Sequence, residues 1–311
     1  MLQVKEICKS YRDQQALKNV SFQVNPGERV ALLGANGAGK TTTIRAICTL
    51  IEYEKGDILF DGEPIKKKKD YLSCIGAVLE GRQNLNWRLS VAENAYYAAG
   101  IRGVAPADVK ANLKEITQQL GLEQYGKRIV GQLSSGNRQK AALASVLSYE
   151  PKLLLLDEPT LGLDVAAVDD LSNIIIDQSN QHERGLIITS HDMGFIDKVC
   201  TRVVVLSHGE VIFDGSKEDI RTNFFKYVFK LNLPNNDIKR LIKDNEIHLQ
   251  TGKLNWNVKD DSFFMEYDDI DRPLPLINWI HKESLVPKEL QISPISLEEA
   301  YKNSCVINKV A

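Results

Sequence analysis

The feature that most limits how this chain folds is the unbroken stretch Gly34-Ala35-Asn36-Gly37-Ala38-Gly39-Lys40-Thr41. It fits the spacing G-x-x-x-x-G-K-[ST]. An apolar run at residues 30–33 precedes it and a helical pattern at 41–50 follows, so the glycines sit between a strand and a helix. A triphosphate needs many donors close to its oxygens. Backbone N–H groups supply them when the chain curls tightly, and glycine permits that curl. The helix that follows aims its positive N-terminal end at the anion. Candidate contacts are Gly34, Asn36, Gly37, Ala38, Gly39, Lys40, Thr41 and Thr42. Lys40 reaches the β- and γ-phosphates as a point charge, and Thr41 offers its hydroxyl to Mg2+.

A second signal is Leu153-Leu154-Leu155-Leu156-Asp157-Glu158-Pro159, an apolar run ending in two acids. A buried parallel strand presents Asp157 at its carboxyl end, where α/β sheets place ligands. Asp157 is then suited to hold Mg2+, directly or through water. Glu158, one residue on, is suited to polarise an attacking water as general base. Alone, such a pair is an ordinary strand end. Beside a phosphate loop it reads as the hydrolytic half of one site.

Strand and helix patterns alternate through the first two thirds of the chain, as in an α/β domain with a buried sheet. Strands are expected at 4–7, 20–24, 30–33, 58–60, 75–79, 153–157, 186–189, 203–207 and 211–213, with helices at 91–101, 106–120 and 138–148. The composition then shifts, and two of the three tryptophans lie beyond residue 220. There the pattern gives a strand at 224–231, a helix at 236–243, strand material at 247–258, a strand at 263–267, a helix at 274–283 and a strand at 290–293. That order, β-α-β-β-α-β, fits a split-βαβ sandwich.

A formal net charge of −2 gives no footprint for nucleic-acid binding, so no nucleic-acid partner is expected. No apolar run approaches the roughly 20 residues a membrane span needs, and Met1-Leu2-Gln3-Val4-Lys5 does not open a signal peptide. A cytosolic protein is expected. The five cysteines are scattered singly, which favours reduced, gap-filling thiols over a zinc or disulfide framework.

Before the acid pair lies Gln132-Leu133-Ser134-Ser135-Gly136-Asn137-Arg138-Gln139-Lys140, which resembles the signature motif of ABC ATPases. After it come Leu161-Gly162-Leu163-Asp164, similar to that family's D-loop, and Thr189-Ser190-His191-Asp192, similar to its switch-histidine loop. Residues 76–100, Asp214-Gly215-Ser216 and Ser296-Leu297-Glu298-Glu299-Ala300 further resemble the ATPases of ABC-2-type exporters. The resemblance implies an α/β P-loop NTPase with a RecA-like core, an antiparallel β subdomain and a helical signature subdomain at about 84–148. It places this ATPase domain at 1–220 and leaves 221–311 as a small C-terminal α+β domain.

The same resemblance implies ATP and Mg2+ as ligands and two subunits facing head to tail. It implies separate transmembrane permease subunits on the cytoplasmic face of a membrane, with export as the direction. It assigns Tyr11 to adenine stacking, against the alternative of an exposed edge tyrosine. Ser134, Ser135 and Gly136 face the γ-phosphate held by the opposite subunit, and His191 holds the attacking geometry. Glu80 occupies the place of the usual Q-loop glutamine and is a third candidate metal ligand beside Thr41 and Asp157. Ser135 and Asn137 depart from the usual signature, so a soluble nucleotide-binding regulator with low turnover stays open as an alternative. The stretch around Trp87 reads equally as a docking groove for the membrane partner or as a packed corner. Lys66-Lys67-Lys68-Lys69 reads as a solvated loop, with contact to anionic headgroups the other reading.

Overall fold

Five apolar strands with no polar alternation form a parallel sheet in the first part of the chain, because such a sheet is covered on both faces. In the computed structural model, which describes residues 1–12, 14–80, 84–224, 227–250, 254–259, 262–269, 271–298 and 301, the chain divides into two units, Met1–Ser216 and Lys217–Ala311. The first unit opens with β1 (Leu2–Tyr11) and β2 (Gln14–Val24), followed by β3 (Arg29–Gly34), α1 (Lys40–Ile47), β4 (Lys55–Phe60) and the short β5 (Glu63–Pro64). Next come α2 (Tyr71–Cys74), β6 (Ile75–Val78), α3 (Val91–Gly100), α4 (Pro106–Gln119) and α5 (Ser135–Leu147). The unit closes with β7 (Leu153–Asp157), α6 (Val165–His182), β8 (Gly185–Thr189), α7 (Met193–Val199), β9 (Arg202–Ser207) and β10 (Glu210–Ser216).

The larger sheet has the order β10-β9-β3-β8-β7-β6. All neighbours pair in parallel except the β10 edge. Every residue of β7 is buried, as expected for a strand inside such a sheet. Because β3, β7 and β8 run the same way, the loops after Gly34, Asp157 and Thr189 emerge at one edge. A second sheet, antiparallel throughout, has the order β2-β1-β4-β5. The helices α3, α4 and α5 pack on one another as a separate group. Ser90 and Glu93 cap α3 reciprocally: the Ser90 hydroxyl accepts from Glu93 N at 3.2 Å and the Glu93 carboxylate from Ser90 N at 2.7 Å.

The second unit contains α8 (Lys217–Phe224), β11 (Tyr227–Asn232), α9 (Asn235–Asp244), α10 (Glu246–Gln250), β12 (Leu254–Lys259), β13 (Ser262–Tyr267), α11 (Leu274–Lys282) and β14 (Glu289–Pro294). Its antiparallel sheet has the order β12-β13-β11-β14, the split-βαβ arrangement. Phe229, Leu231, Phe263, Met265 and Tyr267 face Leu241, Leu276 and Ile280 of the helices in one buried cluster. Strand material expected from residue 247 is a correction. Residues 246–250 form the helix α10 and β12 begins only at Leu254, with 251–253 outside the described residues. Asn245 explains the break, since its side-chain amide bonds back to Leu241 O at 2.9 Å and Leu249 N bonds Asn245 O at 3.0 Å. Phe224, expected to open a strand, instead ends α8. The signature stretch also differs: the helix starts at Ser135, three residues before the periodic apolar pattern, because Ser134 caps it.

Candidate nucleotide site

The loop after β3 curls where only glycine fits. Gly39 has φ of 107°, and a Cβ there would meet Ala16 O and Leu17 Cδ2, each at 2.8 Å. A Cβ on Gly34 would lie 2.5 Å from Leu206 O. Gly39 is also the N-cap of α1 and no side chain caps that helix, so its first-turn N–H groups face outward as anion donors. Lys40 folds back over the loop, donating to Gly34 O at 2.7 Å and Ala35 O at 3.2 Å. Burial pushes its ammonium below the ordinary lysine range, while the nearby carboxylates of Glu158, Asp157 and Glu80 partly offset that.

The acids follow from the sheet register, which pairs Asp157 with Thr189. Asp157 is buried, and one of its oxygens accepts from the Thr189 hydroxyl at 2.6 Å. Glu158 leaves the strand in a left-handed conformation, φ 53°, uncommon for a residue with a side chain. Its N–H donates to Thr189 O at 3.1 Å and Thr189 Oγ1 at 3.2 Å. Its carboxylate accepts from His191 N at 3.2 Å and stands 3.5 Å from His191 Nε2. One threonine thus orients both acids, and one acid faces the exposed histidine.

These groups share a cavity of about 540 Å³. Its walls include Tyr11, Asn36, Gly37, Gly39, Lys40, Thr41, Thr42, Glu80, Asp157, Glu158 and His191. Gly34 and Ala38 lie buried in the loop behind this wall. Tyr11 is 45% exposed, with the Lys9 ammonium 5.3 Å from its ring centre. Ser134, Ser135 and Gly136 do not line this cavity. Ser134 accepts from Asn137 N at 3.3 Å, and Ser135 lines a neighbouring cavity of about 320 Å³ together with Glu80, Asp157 and Glu158. Gln14, Ala16 and Leu161 complete the larger cavity and Thr189 anchors it; Leu161 and Thr189 lay in family-like stretches without a site role, and Gln14 and Ala16 carried no signal in the sequence.

Glu80 is exposed just beyond β6. Asn84 fastens the chain before it, its side chain accepting from Leu79 N at 2.8 Å and donating to Leu79 O at 2.5 Å. Arg82 and Gln83, part of the expected docking stretch, lie outside the described residues, as do Glu299 and Ala300 of the exporter-like stretch. Trp87 is 39% exposed with the Arg138 guanidinium 5.3 Å from its ring centre, so it lines the smaller cavity rather than filling a closed corner. The oxygen donors Thr41, Glu80 and Asp157 suit Mg2+. Among the described residues no group of three or more His, Cys, Asp or Glu is placed to hold a metal ion.

Residues 17–161 match the family described as ABC transporter. The chain is 34% identical over 221 residues to the SkfA peptide export ATP-binding protein SkfE of Bacillus subtilis, covering 69% of this chain and 88% of that protein. It is 31% identical over 234 residues to the phosphonates import ATP-binding protein PhnC of Treponema denticola, covering 71% and 91%. This chain belongs to the ABC transporter ATP-binding family. The ABC fold is matched by a solved ATP-binding subunit of an ABC transporter, with TM-score 0.66, 31% identity, and coverage of 72% of this chain and 93% of that one. The family match spans the phosphate loop from Gly34 and the acid pair Asp157 and Glu158. Among the described residues of this ABC subunit, no helix is long and apolar enough to cross a membrane.

Proposed function

We propose that this subunit binds ATP with Mg2+ and hydrolyses it to drive transport through separate membrane subunits, in the export direction. The observation that carries the reading is the meeting of Lys40, Asp157, Glu158 and His191 around one cavity. Tyr11 lies on the cavity wall where adenine stacking is expected, and Lys40 with the α1 N-terminus serves the phosphates. Thr41, Asp157 and Glu80 would hold Mg2+, whose charge neutralises the oxygens of the transferring phosphoryl group. Glu158 takes the proton of the attacking water, and the 3.2 Å bond from His191 N keeps that carboxylate aimed into the cavity.

Ser134 and Gly136 are not among the walls of the cavity at the chain's own loop, which supports a head-to-tail homodimer in which each serves the partner's ATP. We further propose residues 1–220 as the ATPase domain and 221–311 as an accessory domain, with the subunit attached to the cytoplasmic face of the membrane. The exporter direction rests on the ABC-2-like stretches, and a peptide-export relative supports it while a phosphonate-import relative does not.

Glu158→Gln tests the catalytic reading. The variant is expected to bind ATP as wild type does and to hydrolyse it at least about a hundredfold more slowly. Equal turnover of the two proteins removes Glu158 from the role. The departures at Glu80, Ser135 and Asn137 favour a second reading, a low-turnover regulator. Wild-type turnover far below one per second in the presence of the membrane partner would select it.

A further inference from the structure

The Ser135 side chain has a hydrogen-bond partner within its own subunit. Its hydroxyl donates to Gly162 O at 3.2 Å. Gly162 ends a turn that begins at Glu158, with Leu161 N bonded to Glu158 O at 3.2 Å and Leu163 N to Thr160 O at 3.1 Å. The turn has a left-handed residue at each end, Glu158 with φ 53° and Gly162 with φ 77°. The first is costly for a residue with a side chain and persists only when its surroundings hold it. Thr189 holds the Glu158 end, through its carbonyl and hydroxyl. The Ser135 hydroxyl holds the other. Gly136 adds to this closeness, since a Cβ there would stand 3.4 Å from Leu163 Cδ2.

We infer that Ser135 is a positioning residue for Glu158, acting through the 158–162 turn of its own subunit. A hydroxyl has one proton, and here it is given to Gly162 O, so the anion contact left at this position is the backbone N–H. The serine then adds a fastening across the turn that a glycine at this position would lack. Losing it frees the far end of the turn and lets Glu158 drift from the geometry in which its carboxylate meets His191 N. The inference rests on the proposed hydrolytic role of Glu158.

The experiment compares full-length wild type, Ser135→Ala and Ser135→Thr. In nucleotide-free protein, amide hydrogen exchange of the segment 158–164 is expected to quicken roughly two- to tenfold in the alanine variant, the scale of one net hydrogen bond, and to stay at the wild-type rate in the threonine variant. ATP turnover at saturation is expected to fall by the same factor in Ser135→Ala, with KM and the protein concentration for half-maximal rate unchanged, and Thr to restore it. A raised KM or a raised half-maximal protein concentration with unchanged turnover would overturn the inference, because the hydroxyl would then serve the nucleotide. Unchanged exchange overturns it independently of any activity. If wild type itself hydrolyses no ATP, the hydrolytic reading fails while the exchange result still judges the fastening.

Discussion

Replacing Thr189 by valine keeps the side-chain shape and removes one hydroxyl. That hydroxyl is buried, donates to the Asp157 carboxylate at 2.6 Å and accepts from Glu158 N at 3.2 Å. The second bond matters less, because Glu158 N also donates to Thr189 O at 3.1 Å and keeps that partner. The first is a hydrogen bond to a charged group, worth about 1.5–3 kcal/mol net. For a unit the size of Met1–Ser216, a loss near the middle of that range lowers the melting temperature by about 4–8 °C. The same loss lets Asp157 swing from the cavity wall, so the Mg2+ concentration for half-maximal ATP turnover should rise several-fold. Calorimetry gives the first number and a Mg2+ titration of hydrolysis the second. Thr189→Ser, which keeps the donor, should stay near wild type in both. A valine variant with unchanged melting temperature and Mg2+ dependence would refute the claim that Thr189 sets the carboxylate.

Two further outcomes follow. Gly39→Ala forces a side chain into φ of 107° and onto the Ala16 carbonyl oxygen at 2.8 Å, so ATP affinity should fall more than about tenfold, read by equilibrium titration. Tyr149 is buried with its hydroxyl on Ile75 O at 3.2 Å, and burial pushes its phenol up to about 12. Above a pH of about 10 the unfolded chain loses this proton while the folded chain keeps it, so stability falls as pH rises from there toward 12, by up to about 2 kcal/mol. Melting scans across that window should show a shallower fall for Tyr149→Phe.

The nucleotide loop and the acid pair were legible because their chemistry is local: Lys40 and Thr41 follow the glycines directly, and Asp157 ends its own apolar strand. The parallel strands were legible for the same reason, each being a short unbroken apolar run. Partnerships across the chain were not. Thr189 lies 32 residues from Asp157, and only the parallel register of β7 with β8 brings them together. Gln14, the first residue of β2, joins the site through a chain path that no periodicity encodes. In the second unit the element order β-α-β-β-α-β is legible, yet residues 247–250 read as strand where α10 forms, because so few residues cannot separate a helical period from alternation. The Ser135 bond to Gly162 spans 27 residues and was equally hidden.

The nucleotide reading requires a triphosphate against Lys40 and Thr41 with Mg2+ beside Asp157. Equilibrium binding of a fluorescent ATP analogue, with and without Mg2+, to wild type and Lys40→Ala tests it most directly. Saturable binding is expected, tightening with Mg2+ and weakening at least about tenfold when the lysine is removed, the effect of losing one charge-assisted contact. Equal affinity for both proteins, or no binding under either condition, would contradict it.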